Sequence, residues 1–151
     1  MENGISLKTL KNAELLLRLT MIITLLVAGI SKFCSHGNFH KYYLKLFQNP
    51  SLRINVPSGI IDVYLSLIPF IEVGIALALI TCIKRRLFIV VWIVYFMSLE
   101  VGHYFLEEFT SSDLIIPIIL FGVVAYILPA HEFTGLNVTT VPENKPLHFI
   151  K

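Results

Sequence analysis

The sequence predicts an all-α integral membrane protein, an antiparallel four-helix bundle, and three observations predict it. Hydrophobic residues make up 56% of the 151 residues and charged residues only 15%, against roughly 25% charged in an ordinary soluble domain. Mean hydropathy is +0.77. Four apolar runs are each long enough to cross a hydrocarbon core of about 30 Å, which takes about 20 helical residues at about 1.5 Å each.

The first run is Leu15 to Phe33, the second Ile60 to Ile83, the third Leu87 to Leu106 and the fourth Leu114 to Ala130. Within lipid every backbone N–H and C=O must be paired inside the protein, so uninterrupted runs of this length are helices despite their many β-branched residues. Lys8, Lys11 and Arg18 before the first apolar stretch resemble the start of a secretory signal. The stretch ends in Ser31-Lys32-Phe33-Cys34, not in a small-residue cleavage motif, and is read as the first span.

The connections set the direction of each span. Lys84-Arg85-Arg86 is a tight basic turn and Glu107 to Asp113 a short acidic one, while residues 34–59 form a longer outer loop. Alternation puts Lys8, Lys11, Lys84, Arg85, Arg86, Lys145 and Lys151 on one side, and Lys41, Lys45, Arg53 and the acidic turn on the other. Positive loops stay inside, so both termini are expected in the cytoplasm of a cell bounded by the cytoplasmic (inner) membrane. Residues 1–132 form the transmembrane domain. Residues 133–151, with Gly135, Pro142 and Pro146, form a short cytoplasmic tail whose Asn137-Val138-Thr139 sequon is expected to stay unmodified.

Within the outer loop, Phe39, Tyr43, Leu46 and Phe47 alternate at helical spacing with His40, Lys41, Lys45 and Gln48. That pattern predicts an amphipathic helix, lying on the membrane surface or packed as a lid on the outer end of the bundle. Gly29, Gly74, Ala76, Ala78, Gly102 and Gly122 are candidates for close helix–helix approach. Pro69 and Pro117 each delete a backbone hydrogen bond inside a span. No basic stripe points to nucleic acid. Membrane lipid is the expected surrounding, and small-residue faces leave room for a homo-oligomer.

An ionisable side chain inside a span costs roughly 2.5–3.5 kcal/mol near the centre, so five residues define the candidate site: Arg18, Lys32, Glu72, Glu100 and His103. Arg18 and Lys32 are roughly 1400° of helix rotation apart, within about 40° of whole turns, and share a face with Leu25 and Gly29. Both are also placed where long cationic side chains snorkel to an interface. Glu72 lies near the middle of the second span. Glu100 and His103, three residues apart, share one face of the third span, and Lys32 is expected at their depth, giving a Lys32, Glu100, His103 cluster above Glu72. Glu-x-x-His is a spacing used by di-metal bundles, but those need two such motifs and two further Glu residues. Only one is present, so no metal site is expected. Cys34 and Cys82 fall at opposite ends of their spans, beyond the reach of about 7 Å between Cα atoms that a disulfide needs.

The run Leu17-Arg18-Leu19 followed by Val27-Ala28-Gly29-Ile30-Ser31-Lys32-Phe33, together with Pro69-Phe70-Ile71-Glu72-Val73-Gly74, resembles the first two helices of the DoxX and MauE group of small four-helix membrane proteins. The resemblance implies a redox-associated component of membrane electron transfer or of disulfide- and quinone-linked maturation of periplasmic proteins. It carries Arg18, Gly29, Lys32 and Glu72 over as a shared framework, with a quinone-like ligand as the candidate cofactor. This chain has no C-x-x-C dithiol, which points to an accessory subunit working with a membrane or periplasmic oxidoreductase. The competing expectations are a small proton-coupled transporter and a membrane assembly factor or chaperone.

Overall fold

A computed structural model describes residues 6–35, 37–52, 54, 56–81 and 84–131. Among them the chain forms five helices: α1 (Leu7–Cys34), α2 (Asn38–Phe47), α3 (Ser58–Ile80), α4 (Arg85–Phe105) and α5 (Phe109–Ile127). α1, α3, α4 and α5 are long and apolar enough to cross a membrane. Arg53, Cys82 and the expected tail at 133–151 lie outside the described residues.

Each of the four expected apolar runs lies in a long helix, with shifted ends. α1 begins eight residues before Leu15, and α5 starts at Phe109 where Leu114 was expected and ends at Ile127, three residues before Ala130. The apolar run measures the thickness of oil a helix can cross, whereas the helix itself continues until a backbone signal stops it. Between α1 and α2 the chain turns through Gly37, the residue before α2, with φ 78°, the left-handed conformation glycine adopts without penalty. At α4 the stop signal is Glu107, with φ 58°. There Glu108 N–H donates to the His103 carbonyl (3.0 Å) and Glu107 N–H to the Tyr104 carbonyl (3.1 Å), the pair of bonds of a Schellman turn built without the usual glycine.

The amphipathic helix expected in the outer loop is α2. It lies on α3 with Phe47 buried and Phe39, Tyr43 and Leu44 packed into a cluster with Ile61, Leu65 and Ile68. Lys41, Tyr42 and Lys45 are exposed on its other side.

α1 packs most extensively on α3, and α4 on α5. Residues from all four meet in a larger core that includes Met21, Leu25, Ile75, Leu79, Ile89, Trp92, Phe96 and Ile115. Each helix also leaves an apolar stripe uncovered: Leu16, Ile23 and Val27 on α1, Val63 and Phe70 on α3, Val94 and Val101 on α4, Leu120 and Ile127 on α5.

Glycine sets the closeness of both helix pairs at one point each. A Cβ on Gly29 would lie 2.8 Å from Val73 Cγ2 and 3.2 Å from the Pro69 carbonyl, and one on Gly122 would lie 2.8 Å from the Trp92 ring. The close-approach expectation fails at Gly74 and Gly102, where a Cβ meets nothing within 4 Å; Gly74 faces outward. Gly29→Ala and Gly122→Ala should therefore each destabilise the protein by about 1–3 kcal/mol through overpacking. Gly74→Ala should be neutral or gain up to about 1 kcal/mol of helix propensity. Thermal unfolding of the three variants in one detergent checks the contrast.

Candidate functional site

Two buried polar networks occupy opposite ends of the helices. At the α2 end, Lys32 of α1 donates to Glu72 Oε1 of α3 at 2.5 Å. The Tyr95 hydroxyl of α4 donates to the same oxygen at 2.7 Å. Glu72 is 2% exposed, and three helices are thus tied to one carboxylate oxygen. Its other oxygen, Oε2, is buried with no hydrogen-bond partner among the described residues. The position follows from the close approach at Gly29, where the Glu72 Cβ lies 3.2 Å from the place a glycine side chain would begin. Lys32, one helical turn further along α1, then bends its stem back over the carboxylate.

The network extends through Tyr95. Ser98 Oγ donates to the Tyr95 carbonyl at 2.6 Å and lies 3.0 Å from the Tyr64 hydroxyl. Its single proton is spent on that carbonyl, so Tyr64 is the donor between the two hydroxyls.

Above this network lies a partly open cavity of about 150 Å³, roofed by Phe39, Tyr43 and Phe47 of α2. Lys32, Gly102 and His103 contribute to its walls, and the rest is largely aliphatic and aromatic. Lys32 Nζ also stands 5.1 Å from the centroid of the Phe39 ring, within cation–π range. His103 Nδ1 pairs with Glu108 Oε2 at 2.9 Å, and the Tyr43 ring meets the His103 ring edge to face. Partial burial, followed by the nearby Glu108 charge, holds the Tyr43 phenol above its ordinary value of 10.0, so it remains a neutral hydroxyl throughout the physiological range.

The expected cluster of Lys32, Glu100 and His103 is not what the side chains form. Lys32 turns to Glu72 and His103 to Glu108. Glu100, on the same face of α4 by spacing, keeps Oε2 buried without a hydrogen-bond partner among the described residues, as do Trp92 Nε1 and Ser112 Oγ. The acidic turn supplies the histidine's carboxylate because the Schellman turn brings residue 108 back towards residue 103. No cluster of three or more metal-binding side chains occurs among the described residues.

The second network, at the opposite end, holds Arg18 together with two residues absent from the expected site. Glu14 is 0% exposed and Arg18 1%. Arg18 Nε lies 3.5 Å from Glu14 Oε1, and Arg85 Nη1 lies 2.8 Å from the same oxygen. Neither approach has hydrogen-bond direction, so the attraction is ionic. The His131 N–H donates to Glu14 Oε2 at 2.9 Å, and Arg18 Nη2 donates to the His131 carbonyl at 3.4 Å. Arg85 further donates to the carbonyls of Ala125 (3.3 Å) and Leu128 (3.1 Å), which capture carbonyls left over at the C-terminal end of α5. Arg18 therefore does not snorkel; it is buried against Glu14. Arg85 is likewise buried, not one of three solvated cations in a turn. The signal for Glu14 was in the sequence: it precedes Arg18 by four residues, the spacing that stacks opposite charges on one helix face.

No family model, curated protein or solved structure matches this chain.

Proposed function

We propose that this chain is a multi-pass protein of the cytoplasmic membrane, an antiparallel four-helix bundle with both termini in the cytoplasm. In this reading it serves as a partner-dependent, non-catalytic component of a membrane redox or exported-protein maturation system. The membrane reading is supported by the apolar stripes on all four long helices, which water would not tolerate over such area. The orientation is supported by the basic turn at residues 84–86 and by the α2 end carrying the acidic turn.

The observation that carries the functional reading is the Lys32–Glu72–Tyr95 network beneath the cavity. It joins Gly29, Lys32 and Glu72, three of the four residues that the DoxX/MauE resemblance singles out, into one contiguous unit. A fully buried carboxylate costs several kcal/mol to desolvate, and a merely structural contact at that place could be made by apolar side chains. Such a unit at the α2 end lies on the non-cytoplasmic side in the proposed orientation, where exported thiol proteins fold.

The test is a deletion strain combined with a tagged copy. Trapping of free thiols in exported proteins should reveal an accumulation of reduced forms without the chain, and the tagged chain should capture an oxidoreductase in mild detergent. An unchanged thiol state with no oxidoreductase captured would reject the reading. One observation favours a second reading: the unpartnered Glu72 Oε2 suits a proton-coupled carrier in which that carboxylate takes up and gives up a proton.

A further inference from the structure

We propose that the cavity beneath α2 is a binding site for a neutral molecule about the size of one ring that accepts hydrogen bonds. Charge excludes the other classes. Both cationic or potentially cationic groups in its wall already have a carboxylate of this chain, Lys32 with Glu72 and His103 with Glu108. The wall therefore carries no net charge, and neither an anionic nor a cationic ligand gains a counter-ion there to offset its desolvation.

Donor capacity nevertheless remains. An ammonium has three N–H groups, and among the described residues the one acceptor hydrogen-bonded to Lys32 is Glu72 Oε1. His103 uses Nδ1 on Glu108, which leaves Nε2 an acceptor in the neutral ring and a donor only in the imidazolium, so the Lys32 ammonium is the donor on which the proposal rests. These two polar atoms belong to different helices, α1 and α4, with an apolar and aromatic lining between them. That is the arrangement of a small-molecule site: apolar walls for affinity and a few polar groups for orientation.

Size and shape agree. A cavity of about 150 Å³ is the volume at which an apolar protein void accepts a benzene-sized guest. The wall is bare at Gly102, where an added Cβ would meet nothing within 4 Å. A glycine in a helix interior costs about 1 kcal/mol relative to alanine, yet here it forms no close helix contact. What it provides is the space itself.

The proposal rests on the membrane reading only in that the ligand would arrive through lipid. Its assay uses the purified chain alone, so the redox reading can fail while binding stands, and the reverse. Fluorine NMR on the chain in nanodiscs would compare 4-fluoroacetophenone, 4-fluoroethylbenzene and 4-fluorobenzoate. The ketone should show saturable exchange broadening, the hydrocarbon should bind about tenfold more weakly for want of the hydrogen bond, and the carboxylate should not bind. Gly102→Leu, which starts from a wall with room for its Cβ, should abolish saturation while the melting temperature confirms folding. Should that variant fail to fold, the three probes on the natural chain decide alone. Equal binding of the hydrocarbon would mean that the cavity simply takes a lipid chain, and would overturn the proposal. Preferential binding of the carboxylate, or no saturable binding of the ketone, would overturn it as well.

Discussion

Lys32→Met is expected to lower the stability of the folded chain by about 3–5 kcal/mol, the cost of leaving one member of a buried ion pair without its partner. The stranded group is Glu72, which is 2% exposed and would retain only the Tyr95 hydroxyl. Replacing both partners with apolar residues of similar length, Lys32→Met with Glu72→Met, should recover most of the loss, because neither charge then remains to be desolvated. A double-mutant cycle on thermal or denaturant unfolding in detergent measures this coupling. A Lys32→Met protein as stable as the natural one would show that the pair carries no such energy. Glu72→Gln separates the two functional readings. It preserves an acceptor for Lys32 and Tyr95 but cannot exchange a proton, so a carrier would lose proton flux in proteoliposomes, whereas an accessory component would show a lower melting temperature and no flux to lose.

Glu14→Leu should be at least as damaging. Two guanidiniums, those of Arg18 and Arg85, converge on Glu14 Oε1, and both side chains are less than a tenth exposed. Without the carboxylate they repel one another in a region of low dielectric, and the His131 N–H loses its acceptor. A loss of about 3–5 kcal/mol is expected from the stranded charges. It should be accompanied by faster amide exchange around residues 125–131, since Arg85 holds the Ala125 and Leu128 carbonyls only while it is itself held in place. Wild-type stability and unchanged exchange in that segment would show that the network is dispensable.

The four long helices were legible because an apolar run of about 20 residues is marked directly in composition. Much of one face of α1 was legible too: Leu25 and Gly29, placed with Arg18 and Lys32 by helical rotation alone, are buried, and both charged residues turn inward to carboxylates. Side-chain pairing was less so. Depth put Lys32 level with Glu100, but a lysine stem spans about a helical turn, and the contact at Gly29 brings Glu72 nearer. Tyr95 escaped notice because an aromatic residue in an apolar run carries no mark of whether its hydroxyl has a partner. Arg85 escaped for the opposite reason: it sits in a run of three cations, and nothing in such a run marks that one of them points inward. The cavity was not legible at all, since Gly102 has the same appearance in a sequence as Gly29 and Gly122, where the missing side chain admits a neighbouring helix rather than empty space.

The network around Glu14 also bears on how the chain is made. Glu14 and Arg18 are synthesised in α1, but Arg85 arrives three helices later, in α4, and the backbone of His131 only after α5 has been completed. Until then Glu14 has only Arg18 of its own helix as a counter-charge. The clasp joins α1, α4 and the segment after α5, so it cannot close before residue 131 has been made.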